Sequence, residues 1–257
     1  MKQVAPQYLF KYKPLSSSDD LSSVLDVIVH NKIYIPTPKQ LNDPMEGFGV
    51  VHTGSYAGCS IHVAMERQGK GLNKASEYRV LSLTELASSP QMWAHYGGGY
   101  TGACIRFNTA SFPFEVVPVR YAARPIQILG DSACTVYDSE DISRGALTTK
   151  HVDWAYEQEW RGLFSEGEVD AEGYVSVGVG NPTAVILGEN CSVPTVNFIR
   201  GVCKSRGIPV YSTYVANWIQ RVRVIPFGLE LGRAGIELRK QVADYCMEQG
   251  IDDLNVW

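Results

Sequence analysis

The eight residues Trp154-Ala155-Tyr156-Glu157-Gln158-Glu159-Trp160-Arg161 hold two tryptophans, a tyrosine, two carboxylates and an arginine. Aromatic side chains make apolar walls, and a carboxylate against such walls is costly to ionise unless a cation pairs with it. That is one way to make a catalytic or ligand-gripping acid. A salt-bridged strand edge would use the same residues for structure alone. If the segment is extended, Glu157 and Glu159 point to one face, because side chains alternate with period two. If it is helical, they lie well apart, and the acid turned away from a pocket pairs with Arg161 or Lys150.

Three further clusters combine groups that stack, titrate or bind anions. Phe10-Lys11-Tyr12-Lys13 sets a lysine among strand aromatics. Leu41-Asn42-Asp43-Pro44-Met45-Glu46 is a turn by its chemistry, because Asn and Asp bond their own backbone, and Glu46 adds a second anionic group. Met92-Trp93-Ala94-His95-Tyr96-Gly97 offers two aromatics and a histidine that titrates near neutrality. The candidate catalytic residues are Glu157, Glu159 and His95. The candidate ligand contacts are Lys11, Tyr12, Asn42, Asp43, Glu46, Ser82, Trp93, Tyr96, Trp154 and Arg161.

Several common site types are not written in this chain. The six cysteines are scattered without a C-x-x-C pair, and no H-E-x-x-H occurs, so no metal set is expected. Gly97-Gly98-Gly99-Tyr100-Thr101-Gly102 leads into an expected strand. A phosphate-cradling dinucleotide loop needs a helix N-terminus there. A formal net charge of -4 disfavours broad nucleic-acid binding. A local basic groove around Arg200, Lys204 and Arg206 remains open, with a solvated helix face as its structural counterpart. No apolar run is long enough to span a bilayer, and the N-terminus lacks a signal-peptide core. A cytoplasmic protein with no membrane partner is expected.

These candidates must be positioned by a core that 257 residues can readily build. Strands are expected at Tyr8–Tyr12, Lys32–Ile35, Tyr78–Leu83, Ala103–Phe107, Phe114–Tyr121, Glu159–Phe164, Ala184–Gly188, Ile208–Tyr211 and Arg221–Pro226. Leu21, Val24, Leu25 and Ile28 predict a helix to about His30, behind the capping candidates Ser16 to Asp20. Gln91–Tyr96 is a short helix, and Thr195–Ser205 a longer one closed by Gly207. The polar stretch 131–150 reads as a helix with loops, and Ile236–Gln249 as a final amphipathic helix. The region of His52 and His62 is glycine-rich and gives no clear partner. The fold expected for 1–257 is a single α+β domain, with a mixed, mostly antiparallel sheet flanked by helices.

The aromatic-Lys-Tyr strand, Leu41–Glu46, Met92–Tyr96 and Trp154–Arg161 occur in that order. On those motifs the chain resembles a bacterial family catalogued as domain of unknown function 2971, from about Tyr8 to Phe227. That resemblance implies no settled activity, and it permits a role in antiviral defence or as a toxin. The order Lys11, Ser82, then Glu157 or Glu159 is also similar to that of ADP-ribosyltransferases, although Lys11 stands where that group has His or Arg. The similarity implies cleavage of the nicotinamide–ribose bond of NAD. A carboxylate facing the positive charge that builds on the sugar would stabilise the transition state. Tyr12 or Trp93 would then stack on nicotinamide, and Lys11 would hold a phosphate or ribose. No cofactor is firmly implied; NAD enters as a substrate. A small-molecule nucleotide is the expected partner, and the sequence leaves a protein or nucleic-acid acceptor undecided. One alternative is a hydrolase of a nucleotide or glycosidic bond, pairing Glu46 with Glu157 or Glu159. Another is a non-enzymatic recognition module.

Overall fold

The apolar runs become strands, and the spaced apolar stripes become helices. The computed structural model describes residues 3–43, 49–56, 59–64, 77–124, 126–129, 140–175, 182–216 and 221–226. The first elements in chain order are β1 (Tyr8–Lys13), α1 (Ser18–Ile28), β2 (Ile33–Tyr34), β3 (Gly49–Tyr56), β4 (Cys59–Ala64) and β5 (Tyr78–Thr84). Next come α2 (Pro90–His95), β6 (Ala103–Asn108), β7 (Val116–Pro118), β8 (Arg120–Ala122), β9 (Ile126–Leu129) and α3 (Glu140–Leu147). The last are β10 (Thr149–His151), β11 (Glu159–Ser165), β12 (Tyr174–Val175), β13 (Pro182–Leu187), α4 (Val193–Ser205), β14 (Val210–Ala216) and β15 (Arg221–Pro226). Glu46 and the helix expected at Ile236–Gln249 lie outside the described residues.

The fold is α+β, and the chain divides into two compact units. The first comprises Met1–Ala5, Ile33–Leu83 and Pro113–Val177. In it β5, β11 and β7 lie side by side, β10 pairs β8 in parallel, and β3 lies between β4 and β9. Buried Val80 and Leu147 pack with Leu41, Tyr78 and Leu163. Phe114 meets Phe164 edge-on at 4.9 Å, an arrangement favoured by the ring quadrupoles.

The second unit comprises Pro6–Lys32, Thr84–Phe112 and Gly178–Trp257. Its strands run in the order β15-β14-β13-β6-β1, antiparallel except for the parallel β13–β14 pair. That parallel pair is joined by the crossover helix α4. Ser192 caps α4 by accepting from the Thr195 N–H, and Ile199 and Cys203 are its buried stripe. In α1 a reciprocal capping box joins Ser17 and Asp20. The α1 residues Val24, Val27 and Ile28 are buried at helical spacing.

One expectation is corrected. The strand expected at Phe114–Tyr121 is divided into β7 and β8, which pair with different neighbours. Pro118 faces Trp160 on the edge strand β7, a position where a missing N–H leaves the bonds to β11 intact. The Val119 and Arg120 amides then donate to the Glu159 and Thr148 carbonyls. Around His52 and His62 the structure adds strands that no expectation covered: β3 and β4 pair antiparallel with a register shift, and β9 joins β3 in parallel.

Gly97–Gly102 leads into β6 and spends its backbone groups within the loop and on Gly188 and Asn190 after β13. Gly98, Gly99 and Tyr100 all have positive φ, and the Gly102 amide donates to the Gly97 carbonyl at 2.9 Å. A Cβ on Gly102 would lie 2.3 Å from the Lys13 carbonyl oxygen. Gly102→Ala therefore forces β1 and this loop apart. Urea denaturation should show a lower midpoint, with a loss of about 1–3 kcal/mol. An unchanged midpoint would mean that this approach is not required.

Candidate functional site

The two glutamates of the aromatic segment sit on either side of a sharp change of direction. Residues Val152–Glu157 form a 3₁₀ turn opened by His151, whose Nδ1 accepts from the Asp153 N–H at 3.4 Å. Gln158 then takes left-handed geometry, φ 44° and ψ 55°, and β11 begins at Glu159. The segment is therefore neither continuously extended nor helical. The reversal at exposed Gln158 leaves both Glu157 and Glu159 buried, at 3% and 5% exposure.

Both acids converge on Lys150 of β10. Its Nζ lies 2.6 Å from Glu157 Oε2 and 3.4 Å from Glu159 Oε2. Arg161, two residues along β11, points to the same face as Glu159. Its Nε donates to Glu159 Oε1 and its Nη2 to Glu159 Oε2, each at 2.8 Å. Its Nη1 donates to the Leu147 carbonyl at 2.6 Å, which ties the end of α3 to β11. The Glu159 amide donates to the Tyr121 hydroxyl at 2.8 Å. Two carboxylates and two cations thus form a charge-balanced cluster, which is how buried charge becomes tolerable.

Ser82 joins this cluster from another strand of the first unit, and Trp154 from the turn that carries Glu157. Ser82 on β5, half-buried, hydrogen-bonds the Glu159 carboxylate. Lys150 Nζ stands 4.6 Å from the centroid of the Trp154 ring, a cation–π distance. The rings of Trp154 and Tyr156 are 6.1 Å apart, and both are half-buried. Burial alone would raise the Glu159 pKa, but Arg161 and then Lys150, with hydrogen bonds from Arg161 and Ser82, hold it well below the usual carboxylate range. Burial raises the Tyr121 pKa above the ordinary phenol value.

The structure therefore brings together Ser82, Trp154, Glu157, Glu159 and Arg161 from the sequence-derived candidates. Elsewhere in the first unit, Asn42 is exposed and Asp43 is buried. The remaining described candidates belong to the second unit. Trp93 is fully buried and its Nε1 donates to the Ala87 carbonyl at 2.8 Å. Tyr12 packs edge-on against it at 5.0 Å and donates its hydroxyl to the Leu86 carbonyl. Both rings are core residues with committed polar ends, which corrects their reading as surfaces for stacking nicotinamide. His95 is exposed on α2 with the Tyr96 ring 6.2 Å away, Tyr96 is half-buried, and Lys11 is half-buried on β1.

Two lysines matter more than the sequence indicated. Lys150 appeared there only as an alternative partner for one acid, yet both acids meet on it. Lys13 is buried, and its Nζ contacts the Ser23 hydroxyl. Burial, reinforced by neighbouring Lys11, lowers its pKa to about 8. A run of alternating aromatics and lysines on a strand was the available signal, and it was read for Lys11 alone. Among the described residues no three His, Cys, Asp or Glu side chains gather as a metal site requires.

Residues 92–162 match the family model described as Protein of unknown function (DUF2971). That span contains both the Met92–Tyr96 motif and the Trp154–Arg161 motif, so the resemblance to this family holds there. No curated protein and no solved structure matches the chain.

Removing Lys150 strands excess negative charge in the protein interior. Lys150→Met should lower the unfolding free energy by about 3–5 kcal/mol. The Lys150→Met/Glu157→Gln pair should cost less, because Glu159 and Arg161 still balance. Equal losses in urea denaturation would show that the two acids do not share this cation.

The acid limb of stability has a definite sign. Glu159 has a depressed folded-state pKa, so its contribution is complete above its ordinary value of 4.5 and is lost as pH falls below it. Glu159→Gln should flatten that limb in thermal unfolding between pH 5 and pH 3, roughly the interval over which an unfolded carboxylate titrates. An unaltered slope would refute this linkage.

Proposed function

We propose that the Glu157–Glu159–Lys150–Arg161 cluster cleaves the nicotinamide–ribose bond of NAD, acting as an ADP-ribosyltransferase or NAD glycohydrolase. The observation that carries this reading is the convergence of two buried acids beside half-buried Trp154 and Tyr156. Glu157 is the acid assigned to the sugar. It ends the turn that bears both aromatic rings, whereas Glu159 is fixed through both oxygens by Arg161.

In the proposed step the C1′–N bond breaks and its electron pair leaves with nicotinamide, which departs neutral. Positive charge builds on the ribose, and the Glu157 carboxylate stabilises it more in the transition state than in the ground state. An acceptor hydroxyl or water then forms the new C1′–O bond and releases its proton to solvent. Glu159, Arg161 and Ser82 are positioning residues that hold the acids ionised and in place. Antiviral defence or a toxin role fits this chemistry, and a cytoplasmic setting would supply NAD.

A second reading is favoured by the complete burial of Arg161 and its three described hydrogen bonds to Glu159 and Leu147. In it the cluster is a clamp joining α3, β10 and β11, within a recognition module. The hydrolase alternative pairs one of these acids with Glu46, which is outside the described residues.

Incubation with NAD, with and without protein or nucleic-acid acceptors, followed by chromatography of nicotinamide, separates these readings. The expected result is nicotinamide release that falls at least ~100-fold in Glu157→Gln, the usual scale for losing one transition-state contact, with circular dichroism unchanged. A folded Glu157→Gln variant that retains full release, or a wild-type protein that releases none, would overturn the proposal.

A further inference from the structure

Between Glu189 and Glu230 the sequence has no Asp or Glu, yet it holds Arg200, Lys204, Arg206, Arg221 and Arg223. A chain with a formal net charge of -4 thus gathers positive charge in one stretch, a pattern associated with anionic partners. The second unit concentrates part of it on one surface. Asn197, Arg200, Gly201 and Lys204 fall at helical spacing on one face of α4. Together with Ile208 and Val210 they line an open cavity of about 420 Å³, and no carboxylate is among its described lining residues. Asn197, Gly201 and Lys204 are exposed and Arg200 is half-buried.

Two further observations bear on what the cavity takes. Glycine inside a helix is less favourable than alanine, so its presence needs a reason. Packing within the chain does not supply one, because a Cβ on Gly201 would meet nothing within 4 Å. A bare backbone at that point instead leaves room for a ligand to approach between the two cations. Phe198 does not line the cavity; it is 49% exposed on the flank of α4 away from Arg200, one turn before Gly201. Lys204, in the last turn, also complements the helix dipole. That role explains neither the glycine nor the exposed aromatic.

We propose that this face of α4 binds single-stranded nucleic acid. Arg200 and Lys204 contact backbone phosphates, Asn197 hydrogen-bonds a sugar or base edge, and Phe198 stacks on an unpaired base. Charged grooves with an accessible aromatic platform bind single strands in this way, with strong salt dependence and little sequence preference. A duplex keeps its bases stacked and gives Phe198 nothing to stack on. The inference concerns the second unit and does not rest on the NAD reading.

Fluorescence anisotropy of the full chain with labelled single-stranded and duplex DNA and RNA, at low and physiological salt, tests it. Single strands should bind more tightly than duplexes, with affinity falling as salt rises. Lys204→Glu should weaken binding at least ~10-fold and lower the magnitude of the log–log salt slope by roughly 0.7, the single-strand value per phosphate contact. Phe198→Ala should weaken binding about 10-fold, as loss of one base stack does, with the slope unchanged. Gly201→Leu gives the sharpest contrast: it should raise the thermal midpoint, because the helix gains a better former, while reducing affinity. Absence of single-strand binding at low salt, or equal affinity across the three folded variants, would overturn the proposal. Binding to phosphatidylserine vesicles without binding to oligonucleotides would also overturn it and reassign the surface to lipid.

Discussion

A fully buried guanidinium is the constraint around which the first unit is arranged. Arg161 has 0% exposure, and leaving such a charge without partners would cost several kcal/mol. Its planar fork needs acceptors in fixed positions, which Glu159 supplies through both oxygens and Leu147 through its carbonyl. The first of those bonds sets the start of β11, and the second sets the end of α3 against it. Glu159 is then charged and buried in its turn. Lys150, with Glu157 beside it, completes the balance and fixes β10 and the 3₁₀ turn. A lysine at position 161 would carry the same charge but would not grip both oxygens in one plane.

Much of the architecture was legible because burial has a period. The strands at Tyr8, Tyr78, Ala103 and Glu159, and the helices from Ser18 and Val193, follow the apolar spacing closely. Capping residues located the helix starts. What escaped was set by single residues whose effect has no period. Gln158 adopts left-handed geometry, normally signalled by Gly or Asn, so neither an extended nor a helical reading placed the two acids correctly. The chain exchanges β11 for β10 as its partner between Val119 and Arg120, a switch that no local pattern marks. The β3–β4 pairing was hidden because its strands carry glycine and polar residues where an apolar alternation would mark them.

The same reasoning explains why the candidate site was only partly readable. Aromatic residues near polar ones are equally consistent with a ligand wall and a core with satisfied polar ends. Tyr12 and Trp93 are the second case, since each donates to a carbonyl within the chain. Trp154 and Tyr156 remain half-buried beside the acids. No local pattern separates these outcomes, because they depend on which backbone carbonyls the fold brings within reach.

The electrostatics limit the part that Glu159 can take in each chemistry considered for the acids. A glycosidase-like acid/base pair needs one carboxyl whose pKa is raised, so that it carries a proton to the leaving group near neutrality. Glu159 is shifted the other way by Arg161 and Lys150, so in such a pair it would be the ionised partner and the proton would have to come from the other acid. An ionised carboxylate suits stabilisation of a developing cation, which needs no proton from the enzyme because nicotinamide leaves as a neutral base. The demand then falls on Lys150. Glu157 already shares its charge with that ammonium, so a ribosyl cation gains from Glu157 only as Lys150 gives way. The Trp154 face, 4.6 Å from Nζ, provides the ammonium with a second station on a long, flexible stem. Under the catalytic reading Lys150 is thus the mobile member of the cluster, and under the clamp reading it is as fixed as Arg161.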